Sequence, residues 1–262
     1  MSPLGMRFFT RFFQKAPTPP PPLEDFSFLR VDMHSHLIPG IDDGAKTLED
    51  SVAYCKRFLE MGISHIITTP HVMADGYRND RSIIMAGRDR VREALKHQGI
   101  PVMFDAAAEY YHDENLSDLI EANDLMYFGD KYVLVELSYM FPPHTLHDFI
   151  YRIQSKGYRF VLAHPERYPY FSDKGLSSYA QLREKSVYFQ VNLGSFIGMY
   201  GPHAQRAATE LTDSGMVDFV SSDLHNQSHF EKLRMTLSSP SLRKLKEEGN
   251  LRNASLVNHF SL

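Results

Sequence analysis

"VDMHSHLIPGIDDG", Val31 to Gly44, decides how this chain is read: a short apolar run ends in His34 and His36, one residue apart, and then passes into a loop carrying Asp42, Asp43 and Gly44. A strand that stops in such a loop presents its last side chains at the carboxyl end, where parallel α/β folds build their sites. The same grammar recurs downstream. "TTPH" places His71 after a second apolar run, "DAAAEYY" places Glu109 after a third, and "LVELS" places Glu136 at the end of a fourth. "VLAHPER" places His164 after a fifth, and "FVSSDLH" places Asp223 and His225 after a seventh. The sixth ends in "QVNLGS", where Asn192 offers a supporting or substrate-contacting amide.

Around these points, apolar runs alternate with amphipathic segments, the pattern of repeated strand and helix units. Strands are expected near 29–33, 63–69, 102–108, 132–136, 159–163, 188–192 and 216–221. "TLEDSVAYCKRFLEMG" has a capping-box spacing from Thr47 to Asp50 and closes on Gly62, as a helix should. Further helices are expected near 79–98, 146–156, 177–185, 203–214 and 240–247. Seven such units describe a TIM-like barrel, and an open doubly wound sheet fits the same periodicity.

Composition narrows the function. A hydrophobic content of 43% supports a large core, and no run approaches the roughly 18 apolar residues of a membrane span. A net charge of −4 argues against nucleic-acid binding. The single cysteine, Cys55, forms no intrachain disulfide and fits a reducing cytoplasm. It also lacks the arginine six positions on that a cysteine-dependent phosphatase needs, since that position is Met61. Val52, Cys55 and Leu59 share one helix face, so Cys55 reads as a core residue.

Residues 1–25 are expected to form a separate segment, basic and Phe-rich and then Pro-rich, and residues 26–262 a single motif-bearing domain. Phe8, Phe9, Phe12 and Phe13 beside Arg7, Arg11 and Lys15 would suit a peripheral anchor at the inner membrane. A disordered or self-docked tail is the competing expectation.

If the strands are parallel, their carboxyl ends lie on one face and the marked residues converge. His34, His36, His71, His164 and His225 then meet Asp43, Glu109, Glu136 and Asp223. Clustered carboxylates repel one another unless cations neutralise them, and nine donors exceed the needs of one ion. Two or three divalent metals are expected, and mixed imidazole and carboxylate donors without thiolates suit manganese, iron or zinc. Phosphoester hydrolysis makes full use of such ions, and Arg167, three residues after His164, offers a planar cation for phosphate. His65, His97, His112, His144, His147, His203, His229 and His259 fall outside this register and read as structural. Tyr168, Tyr170 and Phe171 read as loop packing, with stacking on an aromatic substrate as the alternative.

"DMHSHLIPGIDDGAKT", "IITTPH", "AAEYY", "LVELS", "VLAHPERY", "VNLGS" and "DFVSSDLHN", in this order from Asp32 to Asn226, resemble the PHP superfamily (polymerase and histidinol phosphatase). The match is closer to its bacterial capsule-type protein-tyrosine-phosphatase branch. The resemblance implies a distorted seven-stranded (β/α)7 barrel, the PHP fold, with three metals, commonly manganese. It assigns His34, His36, Glu109 and Asp223 to one metal, with Glu109 bridging to a second held by Glu136 and His164. Asp43, His71 and His225 would hold the third, with Asp42 able to exchange roles with Asp43. Arg167 matches a phosphate-binding arginine. The implied reaction is metal-dependent hydrolysis of phosphotyrosine on the tail of a bacterial tyrosine kinase controlling polysaccharide synthesis, with no phosphoenzyme. Alternatives are a small-molecule phosphatase acting on histidinol phosphate and a non-catalytic kinase-binding regulator. One departure is that "HNQSHFEKLR" has no arginine before Arg234, where some members carry a second one.

Overall fold

A computed structural model of the chain describes residues 20–172 and 176–260. The basic, Phe-rich segment and its membrane contact lie outside the described residues. The strands are β1 (Val31–Asp32), β2 (His65–Thr68), β3 (His71–Val72), β4 (Met103–Ala106), β5 (Glu109–Tyr111), β6 (Tyr132–Glu136), β7 (Arg159–Ala163), β8 (Tyr188–Asn192) and β9 (Phe219–Ser221). Their ladders are parallel and form two sheets, β1-β2-β4 and β3-β5-β6-β7-β8-β9. The architecture is therefore mixed α/β with parallel sheets.

The second and third expected strands, 63–69 and 102–108, hold β2 and β4, and each is followed, after a break at Thr69–Pro70 or Ala107–Ala108, by a short strand that was not expected, β3 or β5. Proline has no N–H to give a ladder, so the pairing pauses there. Backbone bonds still bridge the gap, from Ala107 N to Thr68 O at 2.9 Å and from Glu109 N to Pro70 O at 3.1 Å. A local break of this kind re-aims the side chains that follow it, here His71 and Glu109. At the other edge Ser35 makes a parallel bridge with Leu224. Asp223 N donates to His34 O and His36 N to Leu224 O, both at 2.9 Å, so the ends of β1 and β9 meet.

Alternation along the strands feeds two cores. Val133, Val135, Phe160 and Leu162 pack outward among the helices, while Leu134, Val161 and Ala163 join Val31, Met33, Ile67 and Phe219 in a separate inner cluster. The C-terminal 3-10 segment Asn253–Phe260 covers that inner cluster with Leu256, Val257 and Phe260. The Asn253 side chain donates to Val31 O at 3.0 Å and Val220 O at 2.7 Å.

The helix Leu48–Glu60 begins as expected, with Thr47 and Asp50 exchanging both capping-box bonds. Cys55 on this helix is fully buried, and burial pushes its thiol pKa up. Helices Arg81–His97, Leu146–Ser155, Leu176–Glu184, Pro202–Asp213 and Pro240–Glu248 lie within two residues of their expected bounds. Glu114–Ala122 was not expected; Asp113 caps its start and Asn123 ends it in the left-handed conformation.

Candidate metal centre

The fold delivers all nine expected donors to one place. His34 and His36 form its floor, both fully buried. Asp43, His71, Glu109, Glu136, His164, Asp223 and His225 line the cavity above, which has a volume of about 620 Å³. Four overlapping groups have donor atoms within 4.8 Å of one another: His36, Asp43, His71 and His225; His34, His36 and Asp223; His34, Glu109 and His164; and His71, Glu109 and Glu136. Because the groups share members, they make one continuous field of donors rather than three closed cages.

The histidines are held from behind. His34 Nδ1 donates to Gln190 Oε1 at 2.8 Å, His36 Nδ1 to Asp42 Oδ2 at 2.8 Å, and His225 Nδ1 to Asp223 O at 2.9 Å. Fixing the proton on Nδ1 turns the Nε2 lone pair inward, which is how metal-binding imidazoles are oriented. Inward, His34 Nε2, His36 Nε2 and Glu109 Oε2 are buried and make no aligned hydrogen bond. Three orphaned polar atoms converging in one buried spot would cost several kcal/mol without a shared partner. A divalent cation satisfies all of them, so these residues fit the metals that the donor set implies.

Asp42 and Asp43 separate by position. Asp42 is buried and accepts from His36 Nδ1, Gly44 N at 2.9 Å and His71 N at 3.2 Å. Asp43 Oδ1 faces His71 Nε2 at 3.5 Å and His225 Nε2 at 3.4 Å. The loop can fold this closely because residue 44 is glycine: a Cβ there would lie 2.0 Å from His36 O. We expect Asp42→Asn to keep the fold but weaken metal binding by about 10–100-fold in a direct titration, as loss of an orienting carboxylate does. Unchanged affinity would show that Asp42 does not orient His36.

Among the protein groups alone, charge is shared unevenly. Burial disfavours the charged form of His34, but Glu109 and Asp223 outweigh it and raise its pKa to about 9. Burial likewise opposes the rise of His71 to about 10, which Glu109, Glu136 and Asp42 drive. Glu109 and Asp223 stay far below the usual carboxylate range despite burial, because imidazoles surround them. His164 falls to about 4 through burial and the nearby Arg167, and Glu136 rises to about 7 through burial and Glu109. Protons and cations compete for such a field.

Arg167 ends the 3-10 turn Pro165–Arg167 and donates from Nη1 to Asp223 Oδ2 at 3.1 Å. Two site residues, His164 at φ 33° and Asp223 at φ 50°, adopt left-handed backbone that non-glycine residues seldom use. Tyr168 and Phe171 are buried and pack in the loop, with Tyr168 Oη accepting from Leu137 N at 2.9 Å. Other residues escaped the sequence reading. Tyr139 donates to Glu136 Oε1 at 2.8 Å, and His229, read as structural, lines the cavity with Tyr200 and Asn226. Gln190 had a signal: with Asn192 it stands at alternate positions of an apolar strand, hence on one face. Asn192 Nδ2 donates to Asp223 Oδ2 at 2.7 Å.

A parallel α/β fold with a multi-histidine, multi-carboxylate cavity and a lone arginine defines a class of metal-binding hydrolase-like sites. Residues 30–257 match the family described as "Capsular polysaccharide synthesis, CpsB/CapC", and the chain belongs to that family. It is 30% identical over 197 residues to tyrosine-protein phosphatase YwqE of Bacillus subtilis (strain 168), covering 75% of this chain and 77% of that protein. It is 25% identical over 202 residues to tyrosine-protein phosphatase CpsB of Streptococcus pneumoniae, covering 75% and 83%. A solved structure from work on YwqE and CpsB as "unique metal-dependent tyrosine phosphatases" superposes with a TM-score of 0.74 at 27% identity, covering 88% of this chain and 93% of that one.

Proposed function

We propose that this protein is a metal-dependent protein-tyrosine phosphatase acting on the phosphotyrosine tail of a bacterial tyrosine kinase that governs capsular or exopolysaccharide synthesis. The observation that carries the reading is the convergence of His34 Nε2, His36 Nε2 and Glu109 Oε2, buried and without an aligned hydrogen bond, beside an open cavity. Family membership supports it, as does the likeness to YwqE and CpsB, both named tyrosine-protein phosphatases. In this reading the strand ends close into the seven-stranded PHP barrel, residues 26–262 are the catalytic domain, and residues 1–25 are an appended segment. The setting is cytoplasmic, with peripheral contact at the inner membrane through the N-terminal segment; among the described residues no helix is long and apolar enough to cross a membrane.

Two or three ions, manganese first and iron or zinc as alternatives, would be held by His34, His36, Asp43, His71, Glu109, Glu136, His164, Asp223 and His225. Such ions supply Lewis-acid charge and an activated water. The chain's own residues do the rest. Arg167 binds and orients the phosphoryl group with a guanidinium fork suited to phosphate. Gln190 and Asp42 hold the imidazoles of His34 and His36 in the tautomer whose Nε2 lone pair faces the other metal donors. Tyr139 fixes one oxygen of Glu136. The leaving tyrosinate has a pKa of only about 10, so its departure makes a modest demand on a general acid. Cys55 takes no part: it is buried on a helix and is not among the residues lining the cavity.

The test is phosphate release by the manganese-loaded protein from a phosphotyrosine peptide, a phosphoserine peptide and histidinol phosphate. Phosphotyrosine should be preferred, and Arg167→Ala should lower kcat/KM about 100-fold, the scale of losing one charged contact to the reacting group. A preference for histidinol phosphate by orders of magnitude would point to the small-molecule reading. No turnover with any substrate would favour the kinase-binding regulator.

A further inference from the structure

We propose that Tyr139 and Tyr200 form a two-sided aromatic clamp whose task is to hold the Arg167 guanidinium in its phosphate-binding position; the inference deepens the phosphatase reading and rests on Arg167 being the phosphate contact. The Arg167 Cζ lies 4.8 Å from the ring centroid of Tyr139 and 4.2 Å from that of Tyr200. Both rings line the cavity. The guanidinium is only 24% exposed, and its one described side-chain hydrogen bond is the donation from Nη1 to Asp223 Oδ2. The remaining N–H groups are left for a ligand. A free arginine side chain loses considerable rotamer freedom on binding, and cation–π stacking on two rings removes much of that freedom in advance.

The two walls come from unrelated parts of the chain, and each is independently held. Tyr139 follows β6, where its hydroxyl bonds Glu136 and where Tyr170 Oη donates to the carbonyl of the preceding Ser138 at 2.7 Å. Tyr200 sits between Gly198 at φ 74° and Gly201 at φ 93°, a left-handed pair that turns the chain back toward the cavity. The fit beneath it is close: a Cβ on Gly194 would lie 2.7 Å from Met199 Sδ and 3.2 Å from Tyr200 Cε2. The segment after His225 supplies no arginine before Arg234, and among the described residues Arg167 is the only arginine that lines the cavity, so its aim sets phosphate affinity.

The experiment uses the full chain loaded with manganese and inorganic phosphate as the probe, bound in a calorimetric titration, together with KM and kcat for a phosphotyrosine peptide. Tyr200→Leu should weaken phosphate binding and raise KM about 10-fold, the scale of one desolvated cation–π contact, with kcat changing less than about 3-fold. Tyr200→Phe, which keeps the ring, should rescue most of that loss. In an Arg167→Ala background, Tyr200→Leu should add less than about 2-fold, because a residue acting through another is not additive with it. The proposal is overturned if Leu and Phe are equally weak, if the Leu effect persists in full without Arg167, or if Tyr200→Leu binds phosphate like the parent. Should Tyr200→Leu fail to fold, Tyr139→Leu and Tyr139→Phe read the clamp from its other face. A parent that binds phosphate but releases none from phosphotyrosine would sink the phosphatase reading, while the binding series would still decide the clamp.

Discussion

Glu109→Gln is expected to lower phosphotyrosine turnover by about 10³-fold and to strip metal from the purified protein. Glu109 is the hub of the field. Its Oε1 lies 3.2 Å from both His34 Nε2 and His164 Nε2, and its Oε2 lies 3.0 Å from His71 Nδ1 and 3.5 Å from His36 Nε2. Glutamine keeps the volume but removes the negative charge, and its NH2 group offers a cation no lone pair where the carboxylate offered an oxygen. Breaking one member of a buried charged network costs about 3–5 kcal/mol, which is roughly three orders of magnitude in an equilibrium or a rate. Metal content by mass spectrometry and phosphate release from a phosphotyrosine peptide are the paired readouts. A variant that keeps its metal and stays within tenfold of the parent would remove Glu109 from the centre of the site.

Chelation should have the second large effect, abolishing turnover and lowering the melting temperature by about 10 °C. Ligands that bind only the folded state stabilise it by about 4 kcal/mol at a thousandfold excess over Kd, and a chain of this size shifts about 2–4 °C per kcal/mol. The sign follows from the site. Four carboxylates and five imidazoles from distant strand ends are held together in the folded chain and far apart in the unfolded one, so cation binding favours folding. Re-addition of manganese, iron and zinc separately, followed by melting as well as by turnover, ranks the metals. A chelated protein with unchanged melting and activity would contradict a resident metal centre.

Much of this architecture could be read from the strand ends alone, because the period of a buried strand and the residue types that follow it are local properties. The register of His34, His71, Glu109, Glu136, His164 and Asp223 needed only the assumption of parallel pairing to bring them together. What escaped reading is tertiary. The breaks at Pro70 and Ala107 are settled by how neighbouring strands pair, and the helix Glu114–Ala122 by caps at Asp113 and Asn123 within a polar stretch. The separate duties of Asp42 and Asp43 depend on which way a tight loop turns each carboxylate. The walls of the cavity, Tyr139, Tyr200 and His229, come from loops and a short helix whose positions no periodicity encodes.

The meeting of β1 with β9 also has a consequence in time. A ribosome releases His34 and His36 well before Asp223, whose N–H takes the His34 carbonyl, and Asn253, which clasps Val31 and Val220, emerges later still. Contacts of such high sequence separation form late. A nascent chain stalled before β9 is therefore expected to bind no metal tightly, so that the ions can be loaded only after the last of these strands has joined the first.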